Sequence, residues 1–178
     1  MSDRDLILGK LPDADAGSLE EVSAGLVKTA PAGDLWDCFA ERLAALGGEV
    51  AALSELEDLL DEKCIVDPAA REFLKGVGED DPVWDAEVGV SMADFAVAET
   101  GSVIVSASGG TRRMGSLAPT VNVVLVREDS IVATLEDAMN RMSGSTSVII
   151  SGPSLTGDIE GVLVRGVHGP RRLIVVRV

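Results

Sequence analysis

The sequence has no tyrosine, one histidine and two cysteines, and aromatic residues make up 3% of its 178 positions. Each shortage excludes something. Two tryptophans and three phenylalanines leave little material for the base-stacking platforms of single-strand nucleic-acid binders. Cys38 and Cys64 form no C-x-x-C pair, so neither zinc nor an iron–sulfur cluster has its usual thiolate set. The single His168 cannot supply a histidine-pair metal site, and in a Ser-His-Asp triad it would carry all the general-base work. Also missing are G-x-G-x-x-G, G-x-x-x-x-G-K-[ST] and, around Ser154, the second glycine of a nucleophile elbow. No apolar run reaches the length of a membrane span, and MSDRDLILGK with its acidic continuation lacks the signal-peptide pattern. The expectation is a cytoplasmic protein without membrane insertion, its thiols reduced.

Positive charge is also scarce. Fifteen Lys and Arg face 30 Asp and Glu, a net charge of −15. That balance argues against nucleic acid and against anionic membrane surfaces as partners. The deficit is local, however. Residues 1–100 hold 7 basic and 24 acidic groups, whereas residues 101–178 hold 8 and 6. Every basic residue of the second part is arginine, whose fixed fork suits carboxylates and phosphates. A small anionic substrate therefore remains compatible with the composition.

The length predicts one domain. Residues 1–33 read as a loosely held lead-in with a short helix over 18–28, and residues 34–178 as the domain itself. Asp34 is a predicted N-cap for a helix on which Leu35, Phe39, Leu43 and Leu46 share a face, stopped by Gly47-Gly48. A second helix is expected with Ser54 as its cap, then a buried strand at Cys64-Ile65-Val66 and a short helix after Pro68. Residues 78–82 read as an acidic loop, with Trp84 packing just beyond it. Further on, 95–98, 103–105, 121–126, 148–150 and 173–178 are short apolar runs rich in β-branched residues, with a helix over 135–142 among them. Apolar runs of this kind read as strands covered on both faces. The predicted fold class is α/β, a three-layer α/β/α sandwich around a mostly parallel sheet.

Three segments and one loop are candidates for chemistry. Glu99, Thr100 and Gly101 stand between two apolar runs: either a carboxylate at a strand end, where α/β sheets place ligands, or a plain hairpin turn. Residues 108–113 place glycines before Arg112 and Arg113, which reads as an anion grip or as an exposed basic loop. Ser151, Gly152, Ser154 and Thr156 form a turn after a buried strand, expected to lead into a helix capped by Ser154 or Thr156. Asp158 and Glu160 would then stand in its first turn, where carboxylates complement the helix dipole and oppose a second anion. His168 and Gly169 lie on a glycine-flanked loop before the last strand. An imidazole there suits proton transfer, or it holds the backbone.

Two stretches together carry a resemblance. ISGPSLTGDIEGVLVRGVHGPRRLIVV (150–176) resembles the C-terminal signature of the lactate-utilisation (LUD) domain family, C-subunit branch, which runs I-S-G-P-S-x-T-x-D-I-E and then G-V-H-G-P. AETGSVIVSASGGTRRMGSLAPTVNVVLVRED (98–129) resembles the family's central strand–turn–strand block, keeping Glu99 and Gly101 and departing around them. The resemblance is strong over 88–178 and weak over 34–87. It implies the fold shared with ribose-5-phosphate isomerase, glucosamine-6-phosphate deaminase and CoA transferases. It also implies a role in a three-component system oxidising L-lactate to pyruvate, with iron–sulfur clusters on partner subunits and no cofactor on this chain. By matching position, Glu99, Ser151, Gly152, Ser154, Thr156, Asp158, Glu160, His168 and Gly169 would line the family's cleft. Two other expectations compete. One is a free-standing enzyme on a sugar phosphate or CoA ester, with Glu99 as nucleophile. The other is a sensor in which Arg112 and Arg113 hold a small carboxylate.

Overall fold

The computed structural model describes residues 31–60, 62–107, 111–142, 146–157 and 163–178, leaving aside the side chains of Asp58, Thr111, Arg112 and Arg113. The helix expected over 18–28 lies outside the described residues. In chain order the elements are α1 (Leu35–Ala45), β1 (Glu49–Ala51), a 3-10 turn (Leu53–Leu56), α2 (Glu57–Leu60), β2 (Cys64–Val66), β3 (Val88–Met92), β4 (Phe95–Val97) and β5 (Ser102–Ser106). They continue with α3 (Thr111–Leu117), β6 (Val121–Val126), β7 (Ile131–Val132), α4 (Leu135–Arg141), β8 (Ser147–Ile150), β9 (Leu155–Thr156), β10 (Val164–Arg165) and β11 (Arg172–Arg177).

Five strands in the order β1-β11-β6-β3-β2 form an all-parallel sheet. Along β11 the period of two sends Leu173 and Val175 to one apolar cluster and Ile174 and Val176 to another. Burial on both faces is why this strand reads as an unbroken apolar run. One face packs against Leu56 and Ala70, the other against Phe39 and Leu43 of α1.

α1 follows its sequence signals closely. The Asp34 carboxylate accepts from the backbone N–H groups of Trp36 at 2.9 Å and Asp37 at 3.1 Å. At the other end Gly47 N–H donates to Ala44 O at 2.9 Å and Gly48 N–H to Leu43 O at 3.0 Å, a Schellman closure that Gly47 permits with its φ of +81°. Phe39 and Leu43 are fully buried, each side chain worth roughly 1.5–3 kcal/mol of transfer free energy.

The α/β class with a mostly parallel central sheet holds, but three of the predicted strands build a second sheet, ordered β7-β4-β5-β8. Here β4–β5 and β5–β8 pair antiparallel and β4–β7 parallel. One face of this sheet joins the α1 cluster through Ala96, Val103 and Val105, and the other packs Val97 and Ile104 against Ala138 of α4. β5 is thus covered on both sides, which gives it the composition of a parallel strand.

Other expectations change. The second helix begins as a 3-10 turn whose flanking residue is Ala52, not Ser54. The Ala52 N–H is satisfied by the Glu55 carboxylate at 2.6 Å. After Pro68 the chain makes a 3-10 turn at Arg71–Phe73. Trp84 does not pack: it is 78% exposed. The acidic loop has a structural task, because Asp81 Oδ2 accepts from Cys64 N–H at 3.0 Å and Asp80 Oδ1 from Val66 N–H at 2.8 Å. These carboxylates satisfy donors on the open side of β2, an edge strand that would otherwise invite pairing.

The same arrangement governs the thiols. Burial pushes the Cys64 thiol up, and the Asp81 and Asp80 carboxylates add to the rise. Cys38 is only half-buried. A thiolate-selective reagent is therefore expected to modify Cys38 first, with Cys64 reacting only as the domain opens; equal rates by mass spectrometry would contradict this. At the opposite edge Arg172 grips Glu49 through Nε at 3.0 Å and Nη2 at 2.7 Å, tying β11 to β1. Hydrogen bonding from Arg172 holds the Glu49 carboxyl below its usual range. The stabilisation is present while Glu49 is ionised and is lost as pH falls through that lowered range. Both side chains are nearly half exposed, so the pair contributes at most about 1 kcal/mol.

Candidate functional site

Two loops build the site, one leaving the C-terminal end of β8 and one entering β11. They are stitched together by backbone. Ser154 N–H donates to Pro170 O at 2.8 Å, and Gly166 N–H donates to Ser154 O at 2.8 Å. Gly169 lies so near that a Cβ placed on it would be 3.2 Å from Ser154 Cβ. Arg171 N–H then donates to Thr120 O at 2.8 Å, fastening the second loop to the start of β6. Gly152, at φ +138°, turns the first loop against the end of α1. A Cβ there would sit 2.9 Å from Leu46 O, so this turn requires glycine.

Between the loops, β8 and the N-terminal ends of β6 and β11 lies a cavity of about 200 Å³. Ser116, Asn122, Ser151, Ser154 and His168 supply polar groups, and Leu117, Ile150, Pro170 and Leu173 supply apolar wall. Ser151 Oγ is 2.7 Å from Ser102 Oγ, which anchors the first loop to β5. His168 also borders a larger, more polar recess beside Arg171.

Of the residues predicted from sequence, the cavity brings together Ser151, Gly152, Ser154, His168 and Gly169. A helix capped by Ser154 does not form, because Leu155–Thr156 is strand β9, paired antiparallel with β10; a helix capped by Thr156 would fall on 158–162, outside the described residues. Turn residues and polar side chains precede both a helix and a strand, and pairing with Val164 and Arg165 makes 155–156 a strand. Thr156 lies in β9, outside the cavity lining. Asp158 and Glu160 lie outside the described residues, as do Gly109 and Gly110. Arg112 and Arg113 stand in α3, not on a loop.

Glu99, Thr100 and Gly101 form the β4–β5 hairpin turn, away from this cavity. Glu99 Oε2 accepts from Leu135 N–H at 3.2 Å, the first residue of α4. Gly101, at φ +65°, lies beneath α1, where a Cβ would be 2.5 Å from Leu43 N. Glu99 borders a separate recess with Cys38 and Arg42. Its observed task is to add an acceptor at the start of α4, whose N-cap is Thr134. Replacing it with alanine is expected to cost roughly 0.5–2 kcal/mol, as lost helix caps do, with Glu99→Gln retaining most of it. Denaturation midpoints check this, and equal midpoints for the unsubstituted chain and Glu99→Ala would contradict it.

Asn122 was not among the sequence candidates. It is 1% exposed, and neither amide atom has a hydrogen-bond partner. The available signal was a single polar residue inside the otherwise apolar 121–126 run. Among the described residues no group of three or more His, Cys, Asp or Glu side chains converges as metal ligands would. No described helix is long and apolar enough to cross a membrane.

The segment that carries this cavity is also the segment with relatives. The LUD domain model matches residues 81–178, more than half the chain. The chain belongs to the LUD domain family. Within it, this LUD domain is 42% identical over 88 residues to lactate utilization protein C of Deinococcus radiodurans, covering 46% of this chain and 41% of that protein. It is 39% identical over 94 residues to lactate utilization protein C of Bacillus subtilis, covering 48% and 39%. A longer match, 31% over 131 residues, is to the uncharacterized protein YkgG of Escherichia coli, covering 67% and 54%. These relatives place the chain in the lactate utilization protein C and YkgG branch, and the matches span about two fifths to half of their lengths. A solved DUF162 family protein from Deinococcus radiodurans shares the fold, with a TM-score of 0.56 at 22% identity over 80% of this chain and 95% of that one.

Proposed function

We propose that this LUD domain is the non-cluster component of a system that oxidises L-lactate to pyruvate, working with iron–sulfur partner subunits. The observation that carries the reading is the similarity to proteins named lactate utilization protein C, in a chain whose residues 81–178, which include the two stitched loops, match the LUD domain model. Oxidation of lactate to pyruvate releases two electrons and two protons. Two cysteines fall short of the four thiolates of a common cluster, so in this reading the electrons pass to clusters held by the partners. The substrate is a small anion, and the near-neutral, arginine-only second part of the chain does not repel it. The glutamyl-thioester alternative draws no support from the geometry, because Glu99 is engaged at α4 and borders a different recess from His168.

Affinity capture from lactate-grown cells is expected to recover iron–sulfur subunits, and deletion is expected to impair growth on L-lactate. Recovery of no iron–sulfur partner together with normal growth would overturn the reading.

A further inference from the structure

Asn122 occupies the second position of β6, with Gly89 and Leu173 beside it in the parallel register. Neither neighbour has a polar side chain to offer it. The period of two puts its side chain on the face that carries Val124 and Val126, toward α1 and the second sheet. Buried amides are normally hydrogen-bonded. Here both the donor and the acceptor are unpaired, and the residue stands at the wall of a cavity.

Three properties restrict what that cavity would take. Its volume, about 200 Å³, is a little above the roughly 150 Å³ that accepts benzene and below the roughly 300–1,000 Å³ of drug-sized sites. Among its described lining residues His168 is the sole ionisable one, and Arg171 stands in the adjoining recess that shares His168 and Gly169. Finally, a primary amide sets an acceptor and a donor side by side, and its complement is a ligand with an adjacent donor and acceptor.

The geometry points to a binding site for a small 2-hydroxycarboxylate, in which Asn122 Oδ1 accepts from the ligand hydroxyl and Asn122 Nδ2 donates to its carboxylate. A 2-oxo acid presents two acceptors instead and would leave Oδ1 facing a lone pair. A site built around a hydroxyl discriminates strongly against analogues that lack its proton. The choice of L-lactate as first probe rests on the function proposed above; the donor–acceptor argument does not.

The chain has two asparagines, Asn122 and Asn140, and no glutamine, so its side-chain amide spectrum holds two signal pairs. Titration of the full chain with L-lactate or glycolate is expected to move the Asn122 pair and leave that of exposed Asn140 in place. Pyruvate and propionate are expected to bind at least tenfold more weakly, and Asn122→Leu to abolish binding. No movement with either hydroxy acid, equal binding of pyruvate, or full binding by a folded Asn122→Leu would overturn the inference. If that variant fails to fold, the ligand series on the unsubstituted chain decides. Capture of iron–sulfur partners without movement of Asn122 would remove this inference and leave the proposed function. Movement without partner capture would do the reverse.

Discussion

Replacing Gly89 with alanine is expected to destabilise the domain by at least about 3 kcal/mol, at or beyond the upper end of overpacking costs. Gly89 sits mid-sheet on β3, where α3 crosses so closely that an added Cβ would lie 1.8 Å from Gly115 O and 2.9 Å from Gly115 C. Both obstacles are backbone, so no rotamer change relieves them. Relief requires α3 to lift from the sheet, and α3 also supplies Leu117 to the cavity wall. For a domain of this size each kcal/mol moves the thermal midpoint by roughly 2–4 °C, so the expected fall is roughly 6–12 °C. Gly78→Ala is the matched control, since nothing lies within 4 Å of its added Cβ. A Gly89→Ala midpoint within 2 °C (about one kcal/mol) of the unsubstituted chain would show that α3 does not press on β3 as described.

Asn122→Leu is expected to do the opposite, raising the midpoint while removing function. Leucine keeps the branching of asparagine and deletes both unpaired polar atoms. An unsatisfied buried polar group costs about 1–3 kcal/mol, so the gain in the absence of ligand is roughly 2–12 °C. Stability held below its optimum by a polar group at a binding site is a recurrent compromise. A lowered midpoint would mean that the amide is paired in solution and contributes to the fold.

Local signals carried much of the architecture. α1 was legible from end to end because cap, apolar period and stop are each written in neighbouring residues, Asp34, Phe39 and Leu43, and Gly47-Gly48. The strands β6 and β11 were legible because burial on both faces leaves unbroken apolar runs. Pairing direction was not legible. β5 is as apolar as β6 although it runs antiparallel to β4 and β8, since α4 covers one of its faces and the α1 cluster the other. The strand at 155–156 is not legible for a similar reason: Ser154 bonds to Pro170 and Gly166, partners 16 and 12 residues away, and β9 pairs with β10. Those two bonds also explain why the Gly-Pro-Ser and Gly-Val-His-Gly-Pro stretches are recognisable as a unit. Glu99 drew attention as a carboxylate beside a glycine, yet its partner is the start of α4, which spacing along the chain does not reveal. Asn122 has the inverse history. One polar residue in an apolar run is easily passed over until the structure shows that nothing pairs with it.

The net charge of −15 says little about the cavity. That cavity is lined wholly by the second part of the chain, where basic and acidic groups nearly balance.

The most direct test is growth on L-lactate of cells whose sole copy of this protein carries Asn122→Leu, with its abundance and its captured partners measured alongside. The expected result is failed growth although the variant is abundant and still retains iron–sulfur subunits. Growth equal to that of cells with the unsubstituted protein would contradict the proposed binding of L-lactate at this cavity.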